Sequence, residues 1–178
     1  MKKITCIASL VMCALVSLAQ NFEPADDKSA IKFTVKNFGI NTGGSFKGLR
    51  GSIAFSEANP AAGRFEISVE TATVNTDNDL RDSHLKKEDY LDVDKYPRMT
   101  FVSEQIGKKG SHFTVTGKLT IKGVTQDISF PFTAEQEADG LLLKGSFTIN
   151  RRDFHVGGNS MVLADKVIID LSIFGKKR

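Results

Sequence analysis

From Ile31 onward the chain alternates. Ile31, Phe33 and Val35 are separated by Lys32 and Thr34, with Lys36 following. Successive side chains leave a strand on opposite sides, so an apolar residue at every second position describes a strand with one dry face and one wet face. The pattern returns in Leu49, Gly51, Ile53 and Phe55, in Phe65, Ile67, Val69 and Thr71, and in Met99, Phe101 and Ser103. It continues through Phe113 to Ile121, Ile128 to Phe132, Leu141 to Ile149 and Val167 to Ile173. Eight strands result. Gly43-Gly44, Asn59-Pro60, Lys122-Gly123, Asp139-Gly140 and Gly157-Gly158 punctuate them as turns. Phe46 falls out of register with Leu49 and Ile53, which predicts a bulge around Lys47-Gly48. Pro131 removes a ladder donor and predicts an edge or irregular position.

Alternation fails over residues 77–96. Asp77, Asn78 and Asp79 can cap a helix, Leu80, His84 and Leu85 recur at helical spacing, and Tyr96-Pro97 stops it. One or two short helices are expected there, between the third and fourth strands. Eight alternating strands with short connections predict an all-β fold with an antiparallel sheet. Closure into a barrel would remove both edges, and a two-sheet sandwich gives the same alternation.

The N-terminus has another character. Met1-Lys2-Lys3 is followed by an uncharged run from Ile4 to Ala19, shorter than the roughly 20 apolar residues of a membrane span. Ser17-Leu18-Ala19 supplies small residues for a peptidase, so residues 1–19 read as an export signal and 20–178 as one mature domain. Cys13 lies inside the apolar run, where it fits a lipid-attachment site poorly. Removal of the segment takes both cysteines, leaving neither disulfide nor thiolate, which suits a periplasmic or secreted protein. It also takes Lys2 and Lys3, and a formal charge of +3 falls to +1. A field that weak does not call for nucleic acid.

Positions assigned inward carry Ile, Val, Leu, Phe, Met, Gly and Thr, without Asp, Glu, Lys or Arg. A packed core and an apolar cavity both fit this composition. Eight strands is the barrel size at which either occurs. A charge buried without a partner costs several kcal/mol, so a ligand in such an interior would be apolar.

Catalytic and metal chemistry find little support. His84, His112 and His155 lack short metal-ligand spacing, and no G-x-S-x-G occurs. Asp77, Asp79 and Asp82 lack the glycine and distal Glu of a calcium loop. No catalytic residue, metal or cofactor is therefore expected. Leu80-Arg81-Asp82-Ser83-His84-Leu85 and Ile149-Asn150-Arg151-Arg152-Asp153-Phe154 each join Arg and Asp to an apolar flank. Such segments suit surface ion pairs and caps, or a polar collar at a barrel mouth.

Several motifs together carry a resemblance. Gly44-Ser45-Phe46, Arg81-Asp82-Ser83-His84-Leu85, Tyr96-Pro97 followed by Phe101, Gly117 to Thr125 and Asn150-Arg151-Arg152-Asp153-Phe154 occur in the order found in the YceI-like family. The resemblance spans residues 22–174. It implies an extended, eight-stranded, antiparallel lipocalin-like barrel, exported to the periplasm, that holds a polyisoprenoid or comparable long-chain lipid. It further implies Phe33, Phe46, Leu80, Leu85, Phe101, Phe130, Phe147 and Phe154 as pocket-lining residues. Arg81, Asp82 and Arg151 would then stand at the pocket mouth. Two positions depart from the pattern: Phe22 where relatives carry Trp, and His155 where many carry Gly. The implied partner is a long-chain isoprenoid or other lipid, without stable membrane insertion, and homodimerisation is left open. The alternative is a filled barrel that binds a protein through its outer wall, where Ile168 and Phe174 point outward by parity.

Overall fold

The computed structural model describes residues 19–178; the export signal proposed above falls, up to Leu18, outside the described residues. The described chain is an antiparallel barrel of strands β1 (Gln20–Pro24), β2 (Ala30–Asn37), β3 (Ile40–Phe55), β4 (Arg64–Asn75), β5 (Arg98–Lys109), β6 (His112–Ile121), β7 (Val124–Glu137), β8 (Gly140–Asn150) and β9 (Leu163–Lys177). A single α-helix, α1 (Asp79–Leu85), interrupts the series between β4 and β5. Neighbours run β3-β2-β9-β8-β7-β6-β5-β4, and β4 pairs back onto β3 to close the ring. Closure settles the choice between barrel and sandwich.

Nine segments occupy eight places. β1 and β2 share one, since both lie between β3 and β9: Phe22 is opposite Ile53 and Lys177, and Ile31 is opposite Phe46 and Leu171. Between them the chain makes a 3-10 turn, Asp26–Lys28, which leaves part of β3 without a strand partner on that side. The Asp26 carboxylate takes the role, accepting from the amides of Gly48 (3.2 Å) and Leu49 (2.9 Å). At the same place β3 shifts register against β4, and Gly48 adopts a φ of +71°. This is the bulge expected at Lys47-Gly48.

The expected helical insert is one short helix. Asn78 caps it, accepting from the Arg81 amide at 2.9 Å. Residues 86–97 turn back to β5 without a second helix.

The interior is divided. At the end holding the β3–β4, β5–β6 and β7–β8 connections, Phe55, Phe65, Phe113 and Phe132 pack edge-on and tilted with ring centroids 5.1–6.0 Å apart. Phe22, Ile53, Ile106, Val115 and Leu141 complete a dry plug. At the other end Phe33 and Val35 on β2, Phe101 on β5, Phe147 and Ile149 on β8, and Val167 and Ile169 on β9 are only half-buried. They face a space rather than each other.

The outer wall is polar in most places. Lys118 on β6 bridges to Asp127 on β7 (2.7 Å) and Glu104 on β5 (3.2 Å). Its hydrogen bond to Asp127, then that to Glu104, holds its amine above the ordinary lysine range. Phe174 points outward as parity requires but is only 4% exposed, with the Lys28 ammonium 4.8 Å over its ring. It forms no exposed patch with Ile168, because the turn between β1 and β2 folds over it.

Candidate functional site: an apolar cavity in the open half of the barrel

Above the phenylalanine plug lies a cavity of about 530 Å³. Its wall follows from the alternation: Val35, Leu119, Ile149, Val167, Ile169 and Leu171 all project into it. Three rings form an aromatic band, with Phe101 5.7 Å from Phe130, and Phe130 stacked on Phe147 at 4.5 Å. Phe33 and Phe46 face the cavity 5.4 Å apart.

These rings line the space, and for three of them glycine makes the room. A side chain on Gly44 would sit 2.4 Å from the Phe33 ring, one on Gly117 2.9 Å from Phe101, and one on Gly145 3.3 Å from Phe130. Each of these three rings lies beside a strand position that has no side chain. Aromatic mass is thereby held against the wall and the lumen stays open.

The sheet is also parted at this end. β7 pairs with β6 along Phe113–Ile121, but it pairs with β8 only from Phe132 onward. Pro131, which has no amide proton, stands where β7 leaves β8. The 3-10 turn Arg151–Phe154 packs against the separated stretch, with Gln126 donating to the Asp153 carbonyl at 3.1 Å.

The two charged segments flank the opening with different duties. Arg151 is 4% exposed, and its guanidinium donates to the carbonyls of Ala164, Val156, Gly158 and Leu163 and to the Asp165 carboxylate, at 2.9–3.3 Å. An arginine has five N–H donors, and here all are engaged in pinning the β8–β9 connection. Arg81 is half-buried and donates only to Thr76, from Nε to Oγ1 (2.7 Å) and from Nη2 to the carbonyl (2.6 Å). Among the described residues it meets no carboxylate within salt-bridge distance. It borders both the cavity and an adjoining polar cleft lined by Lys32, Asn41, Gly43, Asn75 and Asp77.

Of the residues named from sequence, Phe33, Phe46, Leu85, Phe101, Phe130, Phe147 and Phe154 line the cavity, as do Arg81 and Arg151. Leu80 does not: it is 85% exposed. Five residues of helix rotate a side chain about 140° away from Leu85, so only one of the two can face inward. Asp82 is also outside the lining. Its carboxylate accepts from the Thr76 amide (2.9 Å) and hydroxyl (2.5 Å) and fastens α1 to the end of β4.

Sequence reasoning missed His84 and Tyr90, whose rings meet at 4.8 Å on the cavity wall, and Phe38, Val156, Ser160 and Val162 at its rim. His84 stands on α1, where helical spacing alone does not tell the inward side from the outward one; the others lie in connections, where no periodicity points inward. Among the described residues no three His, Cys, Asp or Glu side chains group closely enough to hold a metal ion.

The sequence model of the YceI-like domain matches residues 22–174. A UPF0312 protein of Pectobacterium atrosepticum is 31% identical over 76% of this chain and 74% of its own length. Protein YceI of Shigella flexneri is 33% identical over 68% of this chain, and the match takes in 65% of that protein, just under two thirds. Among solved structures, Burkholderia cenocepacia BcnA superposes with a TM-score of 0.81 at 28% identity, covering 85% of this chain and 98% of BcnA. A polyisoprenoid binding domain from Saccharophagus degradans, implicated in plant cell wall breakdown, superposes with a TM-score of 0.71. It covers 90% of this chain and 99% of that domain at 16% identity, a likeness that carries the fold alone.

Proposed function

The chain belongs to the YceI-like domain family, and from that premise we propose that it binds a long-chain apolar molecule inside the barrel, as carrier or store and not as an enzyme. The ligand class is a polyisoprenoid, an isoprenoid quinone or a fatty-acid derivative. The observation that carries this reading is the cavity of about 530 Å³ walled by aliphatic side chains and aromatic rings. Its volume is that of a small-molecule site, commonly about 300–1,000 Å³. A hollow this apolar holds water badly, since a buried water needs two to four polar partners. The Saccharophagus degradans neighbour, described as polyisoprenoid-binding, is a precedent for the architecture holding such a chain.

Arg81 gives the ligand a direction. It is the arginine at the cavity rim with donors to spare, so a polar or anionic end of the ligand would rest in the cleft beside it, with the tail running down toward Phe65 and Phe132. The whole unit, residues 20–178, would act after export to the periplasm or exterior, a placement supported by the signal-like residues 1–19. No helix among the described residues is long and apolar enough to cross a membrane.

Native mass spectrometry of protein purified from its own host, followed by solvent extraction, tests the proposal. The expected result is an added mass that organic solvent releases as an apolar long-chain compound. A clean apo mass, together with no uptake of a fluorescent fatty acid, would reject it.

A further inference from the structure

Apolar side chains left in water are unevenly distributed on this barrel. Among the described residues the large exposed ones are Phe38, Ile40, Leu80, Met161, Val162 and Ile168. All but Ile168 stand at the open end. Phe38 is 74% and Ile40 71% exposed, on the tip of the β2–β3 hairpin, and Met161 is fully exposed in the β8–β9 connection. The Phe38 amide donates to the Val162 carbonyl at 2.8 Å, which joins hairpin and connection into one ledge. Phe38 and Val162 also line the cavity, so the exposed rim and the apolar interior form one continuous surface.

Folding alone does not call for this. Phe38 and Gly39 form a two-residue turn with φ values of +50° and +76°. Asn or Asp normally takes the first of these places. A phenylalanine there adopts left-handed backbone and leaves its ring in solvent, two costs at one position.

On β2 and β9, the strands that run into the ledge, the charged residues nearest it that lack an ionic partner among the described residues are lysines, while Glu88 and Asp89 lie across the β8–β9 connection, where Gly157 donates to the Asp89 carbonyl. Lys36 and Lys166 flank it on β2 and β9, both exposed, and among the described residues neither meets a carboxylate. Asp165 is engaged by Arg151 and Arg152. Asp77 and Asp79 lie on the approach to α1, beyond β3 from this edge.

We propose that this rim, Phe38, Ile40, Met161 and Val162 with Lys36 and Lys166, docks the barrel mouth-down on an anionic lipid bilayer, from which the cavity is loaded or emptied. The inference rests on the lipid-binding reading and adds where exchange takes place. An apolar tail cannot cross water cheaply. A rim that enters the headgroup layer lets it pass from bilayer to barrel without doing so, and each lysine near an anionic surface adds about 1 kcal/mol.

The test is co-sedimentation of the protein purified from its host with vesicles of phosphatidylcholine, with and without roughly a quarter phosphatidylglycerol. The wild type should bind the anionic vesicles. Phe38→Asn with Met161→Ser should weaken binding about tenfold or more, and Lys36→Glu with Lys166→Glu should abolish the preference for anionic lipid. Asn suits the left-handed turn, so the first variant keeps its fold, as its urea midpoint would confirm. Wild-type failure to bind, or equal binding by wild type and the Phe38/Met161 variant, would overturn the proposal. So would a wild-type dimer that the variant dissociates in the absence of vesicle binding, because a second copy would then cover the rim. Uptake of a fluorescent fatty acid in solution reports on the barrel separately. Uptake without vesicle binding removes the docking and keeps the lipid-binding reading; vesicle binding without uptake removes the lipid-binding reading and with it the exchange, leaving a membrane contact alone.

Discussion

Arg151 and Arg81 border one cavity, yet their surroundings assign them different work. Every donor of Arg151 is taken by backbone carbonyls of the connection it holds and by Asp165. Its replacement by Met should leave those acceptors short of partners in a buried place and cost about 2–4 kcal/mol, read as a lower urea midpoint. Arg81→Met loses two bonds to Thr76 at a half-exposed site and should cost about 1 kcal/mol. Its effect belongs to binding: affinity for a ligand with an anionic end should drop about tenfold, while an uncharged chain of equal length binds as before. Equal stability losses in the two variants would contradict this division. From sequence the two segments looked alike, since each offers Arg and Asp beside apolar residues. The distinction lay in which carbonyls the fold brings to each guanidinium, and local sequence does not carry that. Leu80 shows the same limit on a smaller scale. It and Leu85 looked equivalent as apolar residues of one helix, but only Leu85 faces inward.

At the scale of elements, the alternation that predicted eight strands was legible because each has a dry face of several residues. β1 escaped notice for the opposite reason: of Gln20–Pro24 only Phe22 and Pro24 are buried, too short a series to show a period. The first half of β3 escaped as well, because Thr42, Gly43 and Gly44 lack the apolar side chains that mark a face. Pairing with β2 makes it a strand. Asp26 is what makes β1 and β2 work as one barrel place, since its carboxylate supplies the acceptors that an unbroken strand would offer Gly48 and Leu49. Asp26→Ala should therefore cost about 1–3 kcal/mol through two amides left without their acceptor. Asp26→Asn, which keeps one acceptor oxygen, should recover part of that. Thermal melts of both variants check the order. Hydrogen exchange should locate the loss in β3 near Leu49; uniform loss across the barrel would point to some other cause.

For the molecule as a whole, one half of the barrel is packed and the other is not, and the same residue type serves both. Phe55, Phe65, Phe113 and Phe132 meet one another and close one end, whereas Phe33, Phe101 and Phe130 lie beside glycines and leave the other end open. Composition could not separate these outcomes, because thirteen phenylalanines fit a filled barrel and a lined one equally. The hollow half forgoes dispersion contacts that a packed core would make, so the apo protein is less stable than its strand pairing alone would allow. This yields a test that separates a binding cavity from a poorly packed core. Val35 and Val167 are cross-strand partners, both inward and both half-buried. Changing both to Phe places two rings in the lumen, where each gains about 25 cal/mol for every Å² of apolar surface it buries. Uptake of a long-chain apolar probe should fall about tenfold or more, and the urea midpoint of the delipidated protein should stay level or rise. In a barrel already filled, the same rings would overpack and cost about 1–3 kcal/mol of stability, read as a lower midpoint. Ligand at a hundredfold excess over the wild-type Kd should also stabilise the wild type by about 3 kcal/mol and the doubly substituted protein by about half of that or less. A midpoint that falls in the double variant while the probe still binds would mean that the lumen is not where the ligand sits.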